Sequence, residues 1–198
     1  MREDRRASRR TFLRGVAALP FAGLGAAPRT VAAGTLLALT PECGDAEDLT
    51  PRAIEGPYFK RDSPRRSALA EAGAGQRIVI AGRVQSPSCR PVDRALLDFW
   101  QADADGEYDL DGYALRGHQF TDGAGRYTLE TVVPGRYARR TRHIHVKVQA
   151  PSGPVLTTQL YFPGEASNGA DRLYRPELEV RLDPGGSGGA RFDFVIRT

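Results

Sequence analysis

The chain has 198 residues, 40% of them hydrophobic, which suits a single domain with one core. Its 22 glycines and 14 prolines, with few helix-favouring runs, favour an all-β chain rich in turns over a helical bundle. The net charge of +4 gives no reason to expect a nucleic-acid partner, because the excess arginine is concentrated near the start of the chain.

The first 33 residues predict an export signal rather than part of the fold. Paired arginines, Arg9 and Arg10, precede the letters TFL, a weakly apolar stretch follows, and small residues end it at Ala33. This order resembles a twin-arginine signal, and Pro20 interrupts the apolar stretch, which argues against a membrane-spanning helix. We therefore expect residues 1–33 to be removed and the protein to be periplasmic or secreted, without a membrane anchor. The alternative is a disordered basic tail.

Two cysteines, Cys43 and Cys89, lie in the predicted mature part. In an oxidising compartment such a pair predicts a disulfide bond, which would stabilise the fold by about 4 kcal/mol. The alternatives are two free thiols or a soft metal site, and the lack of CxxC spacing argues against the metal site.

The organisation changes at residue 76. Residues 34–75 form an irregular arm with at most one short helix, near 66–72, whereas 76–198 contain short β-rich segments separated by turns. The segments predicted as strands are 76–85, 95–101, 126–133, 142–149, 154–162, 177–182 and 190–196. A Gly- and Asp-rich loop occupies residues 103–112, and a flexible turn occupies 183–189. This spacing predicts an antiparallel β-sandwich.

The segment RHIHVKV places two of the chain's three histidines one residue apart. In a strand His143, His145 and Lys147 project from one face, while the apolar residues between them face the core. Imidazoles so spaced can hold one metal ion. On this evidence alone, a pair of exposed histidines is an equal alternative.

Other side chains could complete such a site in two ways. His118 would give a three-histidine zinc site. Tyr108 and Tyr137, both in Gly-flanked loops, would give two phenolates, with the acidic residues of the 103–109 loop as further candidates. A free phenol has a pKa near 10, so it ligates at neutral pH only when a strongly acidic cation such as ferric iron displaces its proton.

Four stretches then point to a family: LLDFWQADADGEYD, FTDGAGRYTLETVVPGRY, RTRHIHVKV and TTQLYF. Their order and spacing resemble those of the intradiol ring-cleaving dioxygenases, non-haem ferric enzymes that include catechol and protocatechuate dioxygenases. The resemblance extends over roughly residues 50–196 and includes the arm segment TPRAIEGPYF.

The resemblance implies one Fe(III) per chain, held by Tyr108, Tyr137, His143 and His145. By the same resemblance, Tyr108 and His143 are equatorial ligands, and Tyr137 and His145 are axial. Tyr137 is then the ligand that a bound catechol displaces, and its phenolate takes a proton from the substrate.

Four further residues match positions near the iron in the family. Arg140 and Gln159 match residues beside the iron, where Arg140 would stabilise developing negative charge. Pro57 and Tyr58 match residues that line the substrate pocket. Some members have a longer insertion after the axial tyrosine, with a tryptophan nearby, whereas Ala138 follows Tyr137 here.

The activity that the resemblance implies is cleavage of a small aromatic diol by O2 between its two hydroxylated carbons, giving a muconate-type diacid. No NAD, flavin or haem signature is present. Related enzymes range from dimers to large assemblies, so a homo-oligomer is compatible with the resemblance.

Two other classes of protein fit parts of the sequence. Residues 76–137 also resemble a transthyretin-like or carboxypeptidase-regulatory-like sandwich, a binding module without catalysis. A zinc protein using His118, His143 and His145 is the other alternative.

Overall fold

The computed structural model describes residues 49–70, 75–185 and 188–198. Within these residues the only helical elements are two single 3-10 turns, Asn168–Ala170 and Pro176–Leu178. No helix in this described part is long and apolar enough to cross a membrane. The predicted export signal and Cys43 lie outside the described residues. The export signal and the bond between Cys43 and Cys89 therefore remain predictions.

The strands of the described residues form two sheets. In chain order they are β1 Arg77–Gln85, β2 Leu96–Gln101, β3 Arg116–Phe120, β4 Arg126–Val132, β5 His143–Gln149, β6 Val155–Tyr161, β7 Arg181–Leu182, β8 Gly189–Arg191 and β9 Phe194–Val195. One sheet has the order β4-β1-β8-β7, with β9 also paired to β1, and the other has the order β3-β2-β5-β6. Pairs are antiparallel except where β8 and β9 run parallel to β1. The predicted all-β sandwich is confirmed.

The core lies between the sheets and follows the alternation of the strands. Ile78 and Ile80 of β1 and Ile144 and Val146 of β5 are buried in one apolar cluster. The apolar face of β5 is therefore the core face, as its alternation predicts.

Several element predictions need correction. β3 was not predicted, because its sequence RGHQF has no apolar alternation, and it forms by pairing along β2. The predicted strand 177–182 is a 3-10 turn at Pro176–Leu178 followed by the two residues of β7, while segment 190–196 is divided between β8 and β9.

The short helix predicted near 66–72 is not present over 66–70, and residues 71–74 are not described. This stretch of the arm is extended because its backbone bonds to strands: Arg66 N donates to His118 O and Leu69 N donates to Glu130 O.

The arm also covers the outer face of the four-stranded sheet. Ala53 N donates to Thr157 O at 2.9 Å, and Gln159 Nε2 donates to Ile54 O at 2.8 Å. Gly56 of the arm lies against His145, where an added Cβ would be 3.2 Å from its Cε1, so the arm covers the face of β5 that carries the histidines.

Candidate metal centre

His143 and His145 lie side by side under the arm and are 4% and 3% exposed. Their Nε2 atoms are 3.2 Å apart. Opposite His145 lie Trp100 on β2 and Gln159 on β6, and the Trp100 ring stacks on the imidazole at 4.9 Å. The alternative of two exposed surface histidines is thus wrong.

Both imidazoles are held as neutral bases. His143 Nδ1 lies 2.7 Å from Thr141 O, so Nδ1 carries the hydrogen and Nε2 keeps its lone pair. Burial lowers the pKa of His143 to about 4, with Arg140 adding to the effect. Burial, followed by the neighbouring His143, places the pKa of His145 well below its usual value. At neutral pH each ring can therefore offer a lone pair to a cation.

Tyr108 reaches the histidines from the loop after β2, with its Oη 3.5 Å from His143 Nε2. Two glycines make this possible, because Gly106 (φ +94°) and Gly135 approach each other too closely for side chains. A Cβ on Gly106 would lie 2.3 Å from Arg136 O. The two Gly-flanked loops interlock there, which brings the rings of Tyr108 and Tyr137 to 5.4 Å.

Tyr58 of the arm joins the two tyrosines. Its ring stacks on Tyr108 at 4.5 Å, and its hydroxyl hydrogen-bonds the hydroxyl of Tyr137. Burial raises the pKa of Tyr108 well above the usual value for a phenol. Neighbouring Pro57 is exposed.

This donor set suits a hard, highly charged cation. Two neutral nitrogen lone pairs face each other, and two phenols lie beside them, one of which cannot ionise in its buried position without a positive neighbour. Within residues 49–70, 75–185 and 188–198, no three His, Cys, Asp or Glu side chains are grouped to hold a metal. A metal here needs the tyrosines, and ferric iron fits that requirement better than zinc.

His118 lies apart from the pair. Its Nδ1 is 2.8 Å from Ser63 O. In the sheet, His118 lies opposite Asp98 of β2, whereas His145 lies opposite Trp100. It fastens the arm to the edge strand β3, so the three-histidine zinc site does not form.

Arg140 and Gln159 are in direct contact next to the histidines. Arg140 Nη2 donates to Gln159 Oε1 at 2.7 Å and to Tyr161 Oη at 3.1 Å, and Gln159 is fully buried. Two other basic residues nearby are engaged elsewhere: Lys147 pairs with Glu55 at 2.6 Å, and Arg142 pairs with Glu165 at 3.4 Å.

Two residues of the site were missed from the sequence. Trp100 is buried, and its ring packs against His145. Arg116 is 1% exposed and donates to Tyr58 O at 2.6 Å and Asp109 O at 3.0 Å, bracing the backbone beside two site tyrosines. No sequence pattern identifies Arg116, because it is a buried arginine in a strand that was not predicted. The position of Trp100 opposite His145 follows from the register of β2 and β5.

Comparison with known proteins identifies similar chains. A family model described as "Dioxygenase" matches residues 54–195. The protocatechuate 3,4-dioxygenase beta chain of Burkholderia cepacia is 31% identical over 182 residues, covering 77% of this chain and 74% of the relative. The catechol 1,2-dioxygenase 2 of Acinetobacter lwoffii is 32% identical over 143 residues, and the match spans about half of that relative (52%) and 59% of this chain.

Solved structures similar to this chain are also dioxygenases. The dioxygenase domain of a dioxygenase and carbohydrate-binding protein fusion from Streptomyces sp. SirexAA-E is 52% identical with a TM-score of 0.74, covering 76% of this chain and 99% of that one. The 3-chlorocatechol 1,2-dioxygenase of Rhodococcus opacus 1CP is 31% identical with a TM-score of 0.68, covering 76% of this chain and 73% of that one.

Proposed function

Because this chain belongs to the intradiol dioxygenase family, we propose that it opens the ring of a catechol-type substrate with O2, using one non-haem ferric ion. The product of that reaction is a muconate-type diacid. The observation that carries the proposal is the convergence of four donors in the covered space between arm and sheet: Tyr108, Tyr137, His143 and His145.

These four side chains are the proposed iron ligands. A ferric ion bound by them would accept both oxygens of a catechol and draw electron density from the ring, which makes it reactive toward O2. The chain prepares the ligands by keeping both imidazoles neutral and by orienting His143 through Thr141.

Tyr137 is the proposed proton acceptor for the substrate. Its hydroxyl already has a partner in Tyr58, which would keep Tyr137 hydrogen-bonded while it takes the proton. Tyr58, whose ring contacts that of Tyr137, and the exposed Pro57 are proposed to contact an incoming ring.

Arg140 is proposed to stabilise negative charge that develops on the substrate, with Gln159 holding its guanidinium. Arg142 and Lys147 do not support selection of a carboxylated substrate, because each is already paired with a glutamate. The proposal therefore names catechol-type diols as a class.

Two other functions have less support. A module without catalysis does not account for four converging donors, three of them buried. A three-histidine zinc site would need His118, which bonds the arm instead. We also propose export by the twin-arginine route, on the sequence pattern alone, and compatibility with a homo-oligomer, on the range of related assemblies.

The test is oxygen uptake by iron-loaded protein with a panel of catechol, protocatechuate, hydroxyquinol and a chlorocatechol, together with identification of the product. We expect uptake to yield a diacid and the resting protein to show a ferric-phenolate charge-transfer band. A ring-opened aldehyde would mean extradiol cleavage and would refute the proposal. So would a colourless protein that binds stoichiometric zinc.

A further inference from the structure

A buried carboxylate, Asp171, lies behind Arg140, and nothing in the proposed chemistry uses it. Its side chain is 2% exposed, and its Oδ2 accepts from Arg140 Nε at 2.8 Å. We propose that Asp171 is a positioning residue that fixes the guanidinium of Arg140 for its part in ring cleavage. The catalytic consequence rests on the proposed function, whereas the positioning can be measured without it.

The bonds of Arg140 explain how one carboxylate can set its direction. A guanidinium is planar and has five N–H donors. Nε bonds Asp171, and Nη2 bonds Gln159 Oε1 and Tyr161 Oη. Nη1 has no hydrogen-bond partner among the described residues. Because Nε and Nη2 are both held, the plane is fixed and Nη1 presents the donors that remain for a ligand.

The charge of Arg140 reaches the candidate metal centre. It opposes the burial-driven rise in the pKa of Tyr108 and adds to the burial-driven fall in the pKa of His143 and His145. Three of the four proposed ligands therefore respond to this one cation, so its placement matters to the reacting group.

Asp171 also holds the peptide that orients the first histidine. Its Oδ2 accepts from Thr141 N at 2.9 Å, while Thr141 O is the acceptor for His143 Nδ1. The Thr141 hydroxyl donates to Asn168 Oδ1 at 2.7 Å, three residues before Asp171. The segment around Asp171 thus clamps residues 140 and 141 against the start of β5.

An amide cannot replace this carboxylate without loss. Asp171 accepts from three donors, the third being Leu173 N at 2.9 Å to Oδ1. The NH2 group of an asparagine would face either Leu173 N or both Arg140 Nε and Thr141 N, and the charge opposite Arg140 would disappear. Asp171→Asn is therefore the informative change. Asp183→Asn is its control, because Asp183 pairs with Arg191 at the exposed edge of the other sheet.

The first experiment measures Arg140 directly. In protein loaded with Ga³⁺, a diamagnetic stand-in for Fe³⁺, 15N NMR follows hydrogen exchange of the Arg140 Nε–H. We expect slow exchange in the parent protein and in Asp183→Asn, and fast exchange in Asp171→Asn. Equally slow exchange in Asp171→Asn would overturn the proposal. If Asp171→Asn does not fold, Asp171→Glu, which keeps the charge but shifts it by one methylene, is judged by the same criterion.

The second experiment is a double-mutant cycle on iron-loaded enzyme with Asp171→Asn, Arg140→Ala and both together. We expect Asp171→Asn to lower kcat/KM by about 10- to 100-fold with iron content and charge-transfer band unchanged. The double variant should lose less than the sum of the two single losses, because part of the effect of Asp171 passes through Arg140. Additive losses, or a loss of activity that tracks lost iron, would overturn it. A parent protein inactive on the whole panel would instead refute the proposed function, and the exchange measurement would still decide the positioning.

Discussion

The Nε2 atoms of His143 and His145 lie 3.2 Å apart, with their rings inclined at 70°. Residues two apart on a strand are separated by roughly 6 to 7 Å at the backbone, so the rings lean toward each other. Thr141 O keeps the hydrogen of His143 on Nδ1, and its Nε2 lone pair points at its neighbour. This pair of neutral imidazoles is the feature that most directly indicates a bound cation. The two tyrosines determine which metal ion the site prefers.

Removing the Tyr108 hydroxyl should remove one phenolate and leave the fold intact. Tyr108→Phe keeps the stacking on Tyr58 and loses a hydroxyl whose only hydrogen-bond partner among the described residues is 3.5 Å away, so the stability cost should be below about 1 kcal/mol. We expect the ferric-phenolate band to shift or vanish in visible spectra, and the same for Tyr137→Phe. Tyr113→Phe, in the next turn, is the control. An unchanged band in both site variants would show that the ligand assignment is wrong.

A side chain at Gly56 should disturb His145 specifically. Gly56 has φ +74°, and a Cβ there would lie 3.2 Å from His145 Cε1. Gly164 has φ +75° with nothing within 4 Å, so Gly164→Ala carries the same backbone strain without the contact. Both variants should lose about 1–2 kcal/mol of unfolding free energy in urea. Only Gly56→Ala should also lose iron or activity. Equal iron content and turnover in the two variants would show that a side chain at Gly56 does not disturb His145.

The main parts of the site could be predicted because they depend on local order. Alternation along RHIHVKV placed both histidines on one face, and the motif around each tyrosine placed them in loops. What alternation could not supply was the cover over that face. The arm lies there because of long-range bonds such as Gln159 Nε2 to Ile54 O, 105 residues apart.

The same limit explains what was missed. Asp171 bonds Arg140 from 31 residues away, and no spacing rule connects them. β3 has no apolar alternation, since Arg116 fills a buried position where an aliphatic residue would normally stand. Buried charges and edge strands depend on partners elsewhere in the chain, whereas sequence periodicity reports only local faces.

Lys60 should hold the loop that carries Tyr108. Its Nζ donates to three carbonyls beyond Tyr108: Leu110 and Asp111 at 3.1 Å each, and Gly112 at 2.7 Å. Lys60→Met keeps the apolar stem and removes these bonds, so we expect a loss of about 1–2 kcal/mol and faster amide exchange across the loop. Arg61→Met, its exposed neighbour, should change neither. Unchanged exchange in Lys60→Met would show that the glycines alone fix the loop.

Asp98 and Asp122 should change the free energy of unfolding in opposite directions as pH rises. Burial raises the pKa of Asp98, despite a hydrogen bond from Ser63 and nearby cations. The folded state then binds more protons than the unfolded one between the two pKa values. Ionisation of Asp98 therefore costs stability as pH rises from the unfolded value near 3.9 through the raised folded value. Asp98→Asn should remove that loss, so its stability relative to the parent protein should rise toward neutral pH.

Asp122 gives the opposite case. The backbone N–H of Arg126, followed by its side chain, lowers the pKa of Asp122. Its contribution is present above the unfolded pKa and is lost as pH falls through the folded value, so Asp122→Asn should be relatively less stable at neutral pH than in acid. Urea unfolding from acid to neutral pH measures both variants. Parallel curves for both variants and the parent protein would argue against these shifts.

The predicted bond between Cys43 and Cys89 should tie the arm to the turn after β1. Thr50 N bonds Val195 O, and Val195 pairs with Gln85, so Thr50 lies about 10 Å from the end of β1. The seven residues from Cys43 to Thr50 can span up to about 23 Å, enough to bring the thiols together. Cys43→Ser and Cys89→Ser should each lower stability by about 4 kcal/mol, and the double variant should lose no more. Alkylation and mass spectrometry before reduction check the bond, since two alkylated thiols in native, exported protein would contradict it.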